Sequence, residues 1–437
     1  MTGLAPRLLC VKTLVGMEQS GKYGNLALHS ALGGAALSAQ EKRLCTVLFQ
    51  GTLERLITLD ACIAAHSSRP PAKMDPQVRA VLRCGICELL TLHTQEAAAV
   101  NLWTECVKKL HKTSAAGMVN AILRAFLRGE KVIPCPDDPI AAVSVKYSVP
   151  EPLVRQMTAD YGAAEAEAFF ADSLGEPPIY LRQNPLRCTE EMLLAEGNAE
   201  RIEEIPFAFR LLRGQDAGIF TASAAFADGW FHVQDLASQL TCLALDAQPG
   251  ETVLDVCAAP GGKTFTIAEM TEDRGQIYAY DLHENRVRLI RDGAKRLGLS
   301  SVRAETGDAR TTEKPPADRI LCDVPCSGYG VMRRKPELRY KTAAEIAGLP
   351  QIQYAILEAS AAALKPGGVL VYSTCTLNKK ENEAVVTRFL EAHPAFRTER
   401  PWQGHPMLEP FAGEMTTLFP AMLGSDGFFL CKMRRSG

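Results

Sequence analysis

The chain has 437 residues, 47% of them hydrophobic and 22% charged, with a formal net charge of −2; that is length for two or three packed domains and the composition of a soluble globular protein. No run of about 18 apolar residues occurs, so no membrane-spanning helix is expected, and the Leu8–Val11 patch, cut by Lys12 and lacking a small-residue cleavage site, does not read as a signal peptide. The charge argues against a nucleic-acid partner held by total charge and leaves that role to a local basic patch, while 14 scattered cysteines without an export signal point to reduced thiols and a cytoplasmic location.

Residues 1–133 read as helices only. Ser38-Ala-Gln-Glu41 is a capping box ahead of an expected inward face of Leu44, Val47, Leu48 and Gly51. Asp75-Pro76 pairs an N-cap with proline at the first helical position, and Val78, Val81, Leu82 and Leu89 should face inward behind it. Val100, Trp103, Val107 and Leu110 form another stripe, and Val119, Ile122, Leu123 and Phe126 a last one, so a small helical bundle is expected. Lys108, Lys109, Lys112, Arg124, Arg128 and Lys131 gather toward its end, as a nucleic-acid-contacting face or as solvated helix surface. Cys84-Gly-Ile-Cys87 has metal or redox spacing, but it sits inside a helical pattern without a second cysteine pair, so buried thiols are expected.

Pro134–Pro139 is a proline-rich break and the expected linker. Residues 140–235 are less readable, with a helix opening at Tyr147–Val154 and a strand at Ile179–Asn184. From 236 to 437 the pattern becomes strand–helix alternation, starting with a helix that leads to Leu245.

The centre of this last part is Thr252–Thr264. An apolar, β-branched run meets the turn Pro260-Gly261-Gly262 and then a helix-compatible segment from Lys263. A Walker A loop would need glycine where Cys257 stands, and the dinucleotide pattern G-x-G-x-x-G is not met, so the turn suits a small nucleoside ligand without a long phosphate chain. Backbone N–H groups from Cys257, Ala258, Ala259, Pro260, Gly261, Gly262 and Lys263 would surround it, proline contributing only its carbonyl. A second strand ends at Asp281, about 20 residues beyond the turn, where an acid accepts from ribose hydroxyls. A third reaches Asp308. A fourth ends at Asp323 and leads into Cys326, and a fifth, Gly368–Tyr372, leads into Cys375. In a parallel, doubly wound sheet these strand ends share one cleft. Gly427–Met433 reads as a closing strand. A zinc site from Cys257, Cys322, Cys326 and Cys375 is not expected, because Cys322 lies within its strand and no C-x-x-C pair anchors a metal in this part. Arg333, Arg334, Lys335, Arg339 and Lys341, against one acid, Glu337, follow directly on the Cys326 loop and are expected to meet nucleic-acid phosphates.

Asp255-Val-Cys-Ala-Ala-Pro-Gly-Gly-Lys-Thr264, Asp323-Val-Pro-Cys-Ser-Gly-Tyr-Gly330 and Tyr372-Ser-Thr-Cys-Thr-Leu-Asn-Lys-Lys-Glu-Asn-Glu383 resemble, in order and register, the S-adenosylmethionine-dependent RNA cytosine-5 methyltransferases of the Sun family. Val324 stands where alanine is usual, Tyr329 where threonine is usual, and Lys379-Lys380 where Pro-Glu is common; none is a cysteine or a cleft aspartate. Gly51-Thr-Leu-Glu-Arg55 and Val119-Asn-Ala-Ile-Leu-Arg124 resemble the NusB-like domain that precedes the catalytic part in RsmB-type enzymes. The resemblance implies an all-α NusB-like RNA-binding domain over 1–133, a small α/β subdomain over 140–235 and a Rossmann-like methyltransferase domain over 236–437. It also implies S-adenosyl-L-methionine as cofactor and 16S ribosomal RNA as partner, with the chain acting as a monomer.

The residue types fit that chemistry. Carbon 5 of cytosine is a poor nucleophile until a thiolate adds at carbon 6 and makes the ring an enamine. At an unperturbed pKa of ~8.5 only a few per cent of a thiol is ionised at pH 7, a deficit of about 2 kcal/mol that a cation such as Lys263 would remove. Asp323 is placed to engage the base's N3 and amino edge. Spacing alone does not divide the roles of Cys326 and Cys375. DNA cytosine-5 methyltransferases use the Pro-Cys cysteine as nucleophile; the RNA family it resembles uses the Thr-Cys cysteine, here Cys375, with Cys326 assisting release. Two further classes stay open: a non-catalytic RNA-binding ribosome-assembly protein of the same fold, separable by cofactor binding, and a nucleotide hydrolase, separable by ATP turnover.

Overall fold

The computed structural model describes residues 3–21, 24–212 and 217–437. The chain folds into two compact units. The first comprises Met1–Gly175 with Met332–Tyr340, and the second Glu176–Val331 with Lys341–Gly437.

The first unit is helical. Its core gathers Cys10, Val11, Leu48, Phe49, Val81, Trp103, Val107, Leu123 and Phe126. The Ser38–Glu41 capping box forms, and Asp75 caps the helix Pro76–Thr91 by accepting from Gln77 and Val78 N–H. That helix buries Val78, Val81, Leu82 and Leu89 as its periodicity requires, along with Cys84 and Cys87. Burial raises the Cys87 thiol to about 11, the behaviour of an inert packing thiol. One face is turned from expectation: Ala39–Glu54 buries Cys45, Leu48, Phe49 and Thr52, while Val47 is 47% exposed. Both sets share helical spacing with Leu48, and the larger ring of Phe49 faces the core.

The boundary expected at 133–140 also shifts. Pro139–Tyr147, Glu151–Tyr161 and Ala163–Asp172 are helices of the first unit, not the start of a subdomain. Polar ties hold them there: Thr58 Oγ1 donates to Val145 O, and Ser148 Oγ accepts from Ile57 N. Arg339, fully buried, donates to the carbonyls of Glu54, Tyr147 and Ser173.

The second unit holds two sheets. Strands β1 (Tyr180–Gln183), β2 (Ala199–Arg201), β3 (Ala208–Leu211) and β4 (Phe231–Val233) form a small antiparallel sheet in the order β2-β3-β1-β4. The large sheet contains β5 (Thr252–Asp255), β6 (Gln276–Asp281), β7 (Val302–Thr306), β8 (Ala317–Asp323), β9 (Leu364–Thr374), β10 (Phe396–Glu399), β11 (Thr416–Leu418) and β12 (Phe428–Arg435). Its order is β10-β12-β9-β8-β5-β6-β7, with β11 on β12. β5 to β9 are parallel, and β12 closes antiparallel on β9. Alternate residues pack on opposite faces: Val253, Leu321, Val369 and Val371 on one, Leu254, Ile320, Leu370 and Tyr372 on the other. Strand order reverses between β8 and β5, where a doubly wound sheet opens a crevice beyond its carboxyl ends.

Candidate active site

The turn after β5 carries no side-chain cap. Gly261 is the N-cap of the helix Gly262–Met270 at φ +114°, a conformation that favours glycine. A Cβ there would also meet the Phe265 ring at 2.3 Å. The first amide N–H groups of that helix are left for a ligand. Beneath the turn, Asp255 is buried and accepts from Thr264 Oγ1 at 2.7 Å. Burial raises this carboxyl to about 7, with nearby Asp323 pushing the same way and Thr264 opposing. Cys257 is half-buried against the core face that holds Cys322, and burial keeps its thiol well above the ordinary range.

At the end of β6, Asp281 is 4% exposed and accepts from His283 N at 3.2 Å. Arg286 ties it to the glycine turn, with one guanidinium nitrogen 3.3 Å from Asp281 Oδ2 and another donating to Ala259 O at 2.7 Å. Leu282 beside it is 56% exposed, an apolar surface next to the carboxylate. Asp308 follows β7, but its carboxylate is clasped by Arg310, which holds it at about 2.

Lys263, Asp323 and Ser373 come together across β8 and β9. Lys263 Nζ is 2.7 Å from Asp323 Oδ2 and donates to Ser238 Oγ at 3.2 Å, and Ser373 Oγ donates to Asp323 Oδ1 at 2.9 Å. Burial pulls the Lys263 pKa down, but Asp323 outweighs it and leaves Lys263 above its ordinary value. Asp323 therefore presents a carboxylate with fixed orientation. Lys263, expected beside a thiolate, is instead held by Asp323.

The two cysteines meet: Cys326 Sγ lies 3.3 Å from Cys375 Sγ, and both are half-buried. Their loops follow adjacent parallel strands and are pinned together by Val324 N to Ser373 O, Gly330 N to Cys375 O, and the Ser327–Thr376 hydroxyl pair at 2.7 Å. Position 330 admits only glycine, since a Cβ there would stand 1.9 Å from Gly427 O. The contact with Cys375, then burial, pushes the Cys326 thiol well above its ordinary value.

The basic run divides. Arg333 pairs with Asp172 at 3.0 Å, Arg339 caps three buried carbonyls, and Lys341 donates to Ser327 O at 2.9 Å. These three are structural, because each meets a protein partner through a mostly buried contact; Lys335 remains exposed. Ser238, Arg286 and Gln353 have no role that the sequence alone suggests. Ser373 and Glu381 stand within the third motif without a role of their own, although an acid amid Asn378 and Asn382 is itself a polar-network signal.

A model of the 16S rRNA methyltransferase RsmB/F family matches residues 242–434, and one of the NusB family matches residues 4–128. The chain is similar to the probable ribosomal RNA small subunit methyltransferase B of Bacillus subtilis (strain 168), 37% identical over 446 residues that cover 99% of each protein. It is equally similar, at 37% over 453 residues, to the protein of that same description from a Synechocystis species, covering 99% of this chain and 100% of the other. The crystal structure of PH0851 superposes with a TM-score of 0.78 at 27% identity, covering 98% of this chain and 99% of that one.

Proposed function

The chain belongs to the RsmB/F family of ribosomal RNA methyltransferases, and on that premise we propose that it methylates carbon 5 of a cytidine in 16S rRNA through a covalent adduct at carbon 6. The observation that carries this is the pair of thiols 3.3 Å apart beside an oriented carboxylate, Asp323. The glycine turn with its free helix N-terminus, the buried Asp281 and the exposed Leu282 fit S-adenosylmethionine: N–H donors for a carboxylate, an acceptor for a ribose diol and an apolar face for a purine. That cofactor supplies an electrophilic methyl group.

The protein's residues do the rest. The target base leaves its stack and enters the cleft. Asp323, held by Lys263 and Ser373, engages the base's N3 and amino edge. Cys375 adds as thiolate to carbon 6, and carbon 5 gains the nucleophilicity to take the methyl group. Carbon 5 then gives up its proton to solvent water and the Cys375–carbon 6 bond breaks; Cys326 assists release by giving its thiol proton to the departing Cys375 sulfur 3.3 Å away, and the pair shares that proton again afterwards. The helical region 1–133 is the RNA-binding domain on this reading, and the cytoplasm the place of action. Bisulfite sequencing of ribosomal RNA from a deletion strain, with methylation restored in vitro by the purified protein and S-adenosylmethionine, tests it. A fully methylated deletion strain would refute it.

A further inference from the structure

Glu381 is fully buried, yet among the described residues its carboxylate pairs with no cation. It accepts from three nitrogen donors instead: Ser327 N at 2.8 Å, Gln353 Nε2 at 2.9 Å and Asn378 Nδ2 at 2.8 Å. Donors of this kind satisfy an ionised carboxylate without a proton of its own. Two of the three lead to Cys326. Ser327 is the next residue, and Gln353 Nε2 also donates to Pro325 O at 3.0 Å, on the other side of the cysteine. The path Pro325 O, Gln353 Nε2, Glu381 Oε2, Ser327 N thus encloses Cys326, and Lys341 fixes the Ser327 carbonyl. The same Glu381 backbone carbonyl accepts from Tyr372 OH at 2.5 Å, which ties the clamp to the strand that delivers Cys375.

A carboxylate so placed does two things. It fixes a peptide whose movement would open the contact between the thiols, and it sets a negative charge beside one of them. A like charge nearby disfavours ionisation of a thiol, and Glu381 acts in that direction on Cys326. We infer that Glu381, bridged by Gln353, is a positioning residue for methyl transfer: it holds the Cys326 peptide against Cys375 and sets its carboxylate beside Cys326, leaving Cys375 to attack. The inference rests on the division of labour between the thiols proposed above. The charged and titratable groups facing Cys326 are Cys375 and Tyr372 from β9 and its loop, Asp323 from the end of β8 with its partner Lys263 from the helix Gly262–Met270, Glu381 itself, and Lys341 through Ser327.

Glu381→Gln keeps the shape and removes the charge. In a Cys375→Ala background, which isolates the effect on Cys326, alkylation by iodoacetamide is followed against pH by peptide mass spectrometry. The variant should alkylate Cys326 about tenfold faster at pH 8, the effect of removing one nearby like charge. In the chain with both cysteines, Glu381→Gln should lower kcat while KM for RNA and cofactor affinity hold. Gln353→Met breaks the bridge but leaves the charge, so kcat should fall with the Cys326 alkylation profile unmoved. An unmoved profile in Glu381→Gln overturns the inference. Should that variant not fold, an unchanged kcat in Gln353→Met overturns it instead. The covalent-complex assay below reports separately whether Cys375 is the nucleophile.

Discussion

Cys326 Sγ and Cys375 Sγ lie 3.3 Å apart, although 49 residues separate them in the chain. Adjacent parallel strands bring their loops side by side, with Asp323 in register with Ser373. Two thiols at that distance cannot both ionise without repulsion, so they act as a unit with one shared preference for where the proton sits.

If Cys375 attacks and Cys326 assists release, the variants separate cleanly. Cys375→Ala cannot form the bond to carbon 6, and no covalent complex should appear. Cys326→Ala should still attack and transfer the methyl group but resolve slowly, leaving protein bonded to RNA. Denaturing gels with substrate RNA and cofactor would show a shifted band for Cys326→Ala only. The opposite pattern exchanges the roles; methylation intact in both variants would sink the thiol mechanism.

Asp281 and Asp308 should differ as cofactor ligands. Asp281 is 4% exposed and tied to the glycine turn through Arg286, whereas Asp308 is paired with Arg310 near solvent. Asp281→Ala should weaken S-adenosylmethionine binding by roughly 1–3 kcal/mol, the loss of hydrogen bonds to a buried polar group, and Asp308→Ala by less. Calorimetry showing equal affinities in wild type and Asp281→Ala would remove Asp281 from the site.

Within the basic run, stability and RNA binding should come apart. Arg339→Ala strands three buried carbonyls and should destabilise the fold by roughly 3 kcal/mol, read as a lowered Tm. Lys335→Ala should leave Tm unchanged while weakening RNA binding and flattening its salt dependence. A salt slope identical to wild type would return Lys335 to ordinary surface.

Asp255 gives a pH dependence. Its folded value of about 7 stands above the ~3.9 of an unfolded aspartate. Between those values the folded state binds more protons, so this group's stabilisation is complete below ~3.9 and is lost as pH rises through 7. Asp255→Asn cannot ionise. Its Tm relative to wild type should therefore rise from pH 5 to pH 8, and thermal melts showing a constant difference would refute the assignment.

The sheet and the strand-end acids were legible in the chain, because alternation and glycine turns are local properties. Thr252–Thr264 announced a strand, a turn and a helix, and the spacing to Asp281 and Asp323 followed from strand lengths. The Ser38 and Asp75 caps were equally plain, since a cap is satisfied within three residues. The three motifs carry the resemblance to the methyltransferase family within short stretches of chain.

Other assignments needed the fold, because a side chain's partner is set by long-range packing that no local period encodes. Arg333 and Arg339 look the same in sequence as solvent-facing phosphate binders, yet Asp172 and three carbonyls claim them. Val47 and Phe49 fit the same helix, and only the facing core chose between them. The helices from Pro139 to Asp172 carried no mark of the unit they join. Glu381 was visible as an acid in a motif, but its bonds to Ser327 and Gln353 span 54 and 28 residues. Sequence by itself determined which residues end at the cleft and what chemistry they suit. Tertiary structure alone decided which of them touch, because contact distance and burial arise only when separate strands are packed side by side.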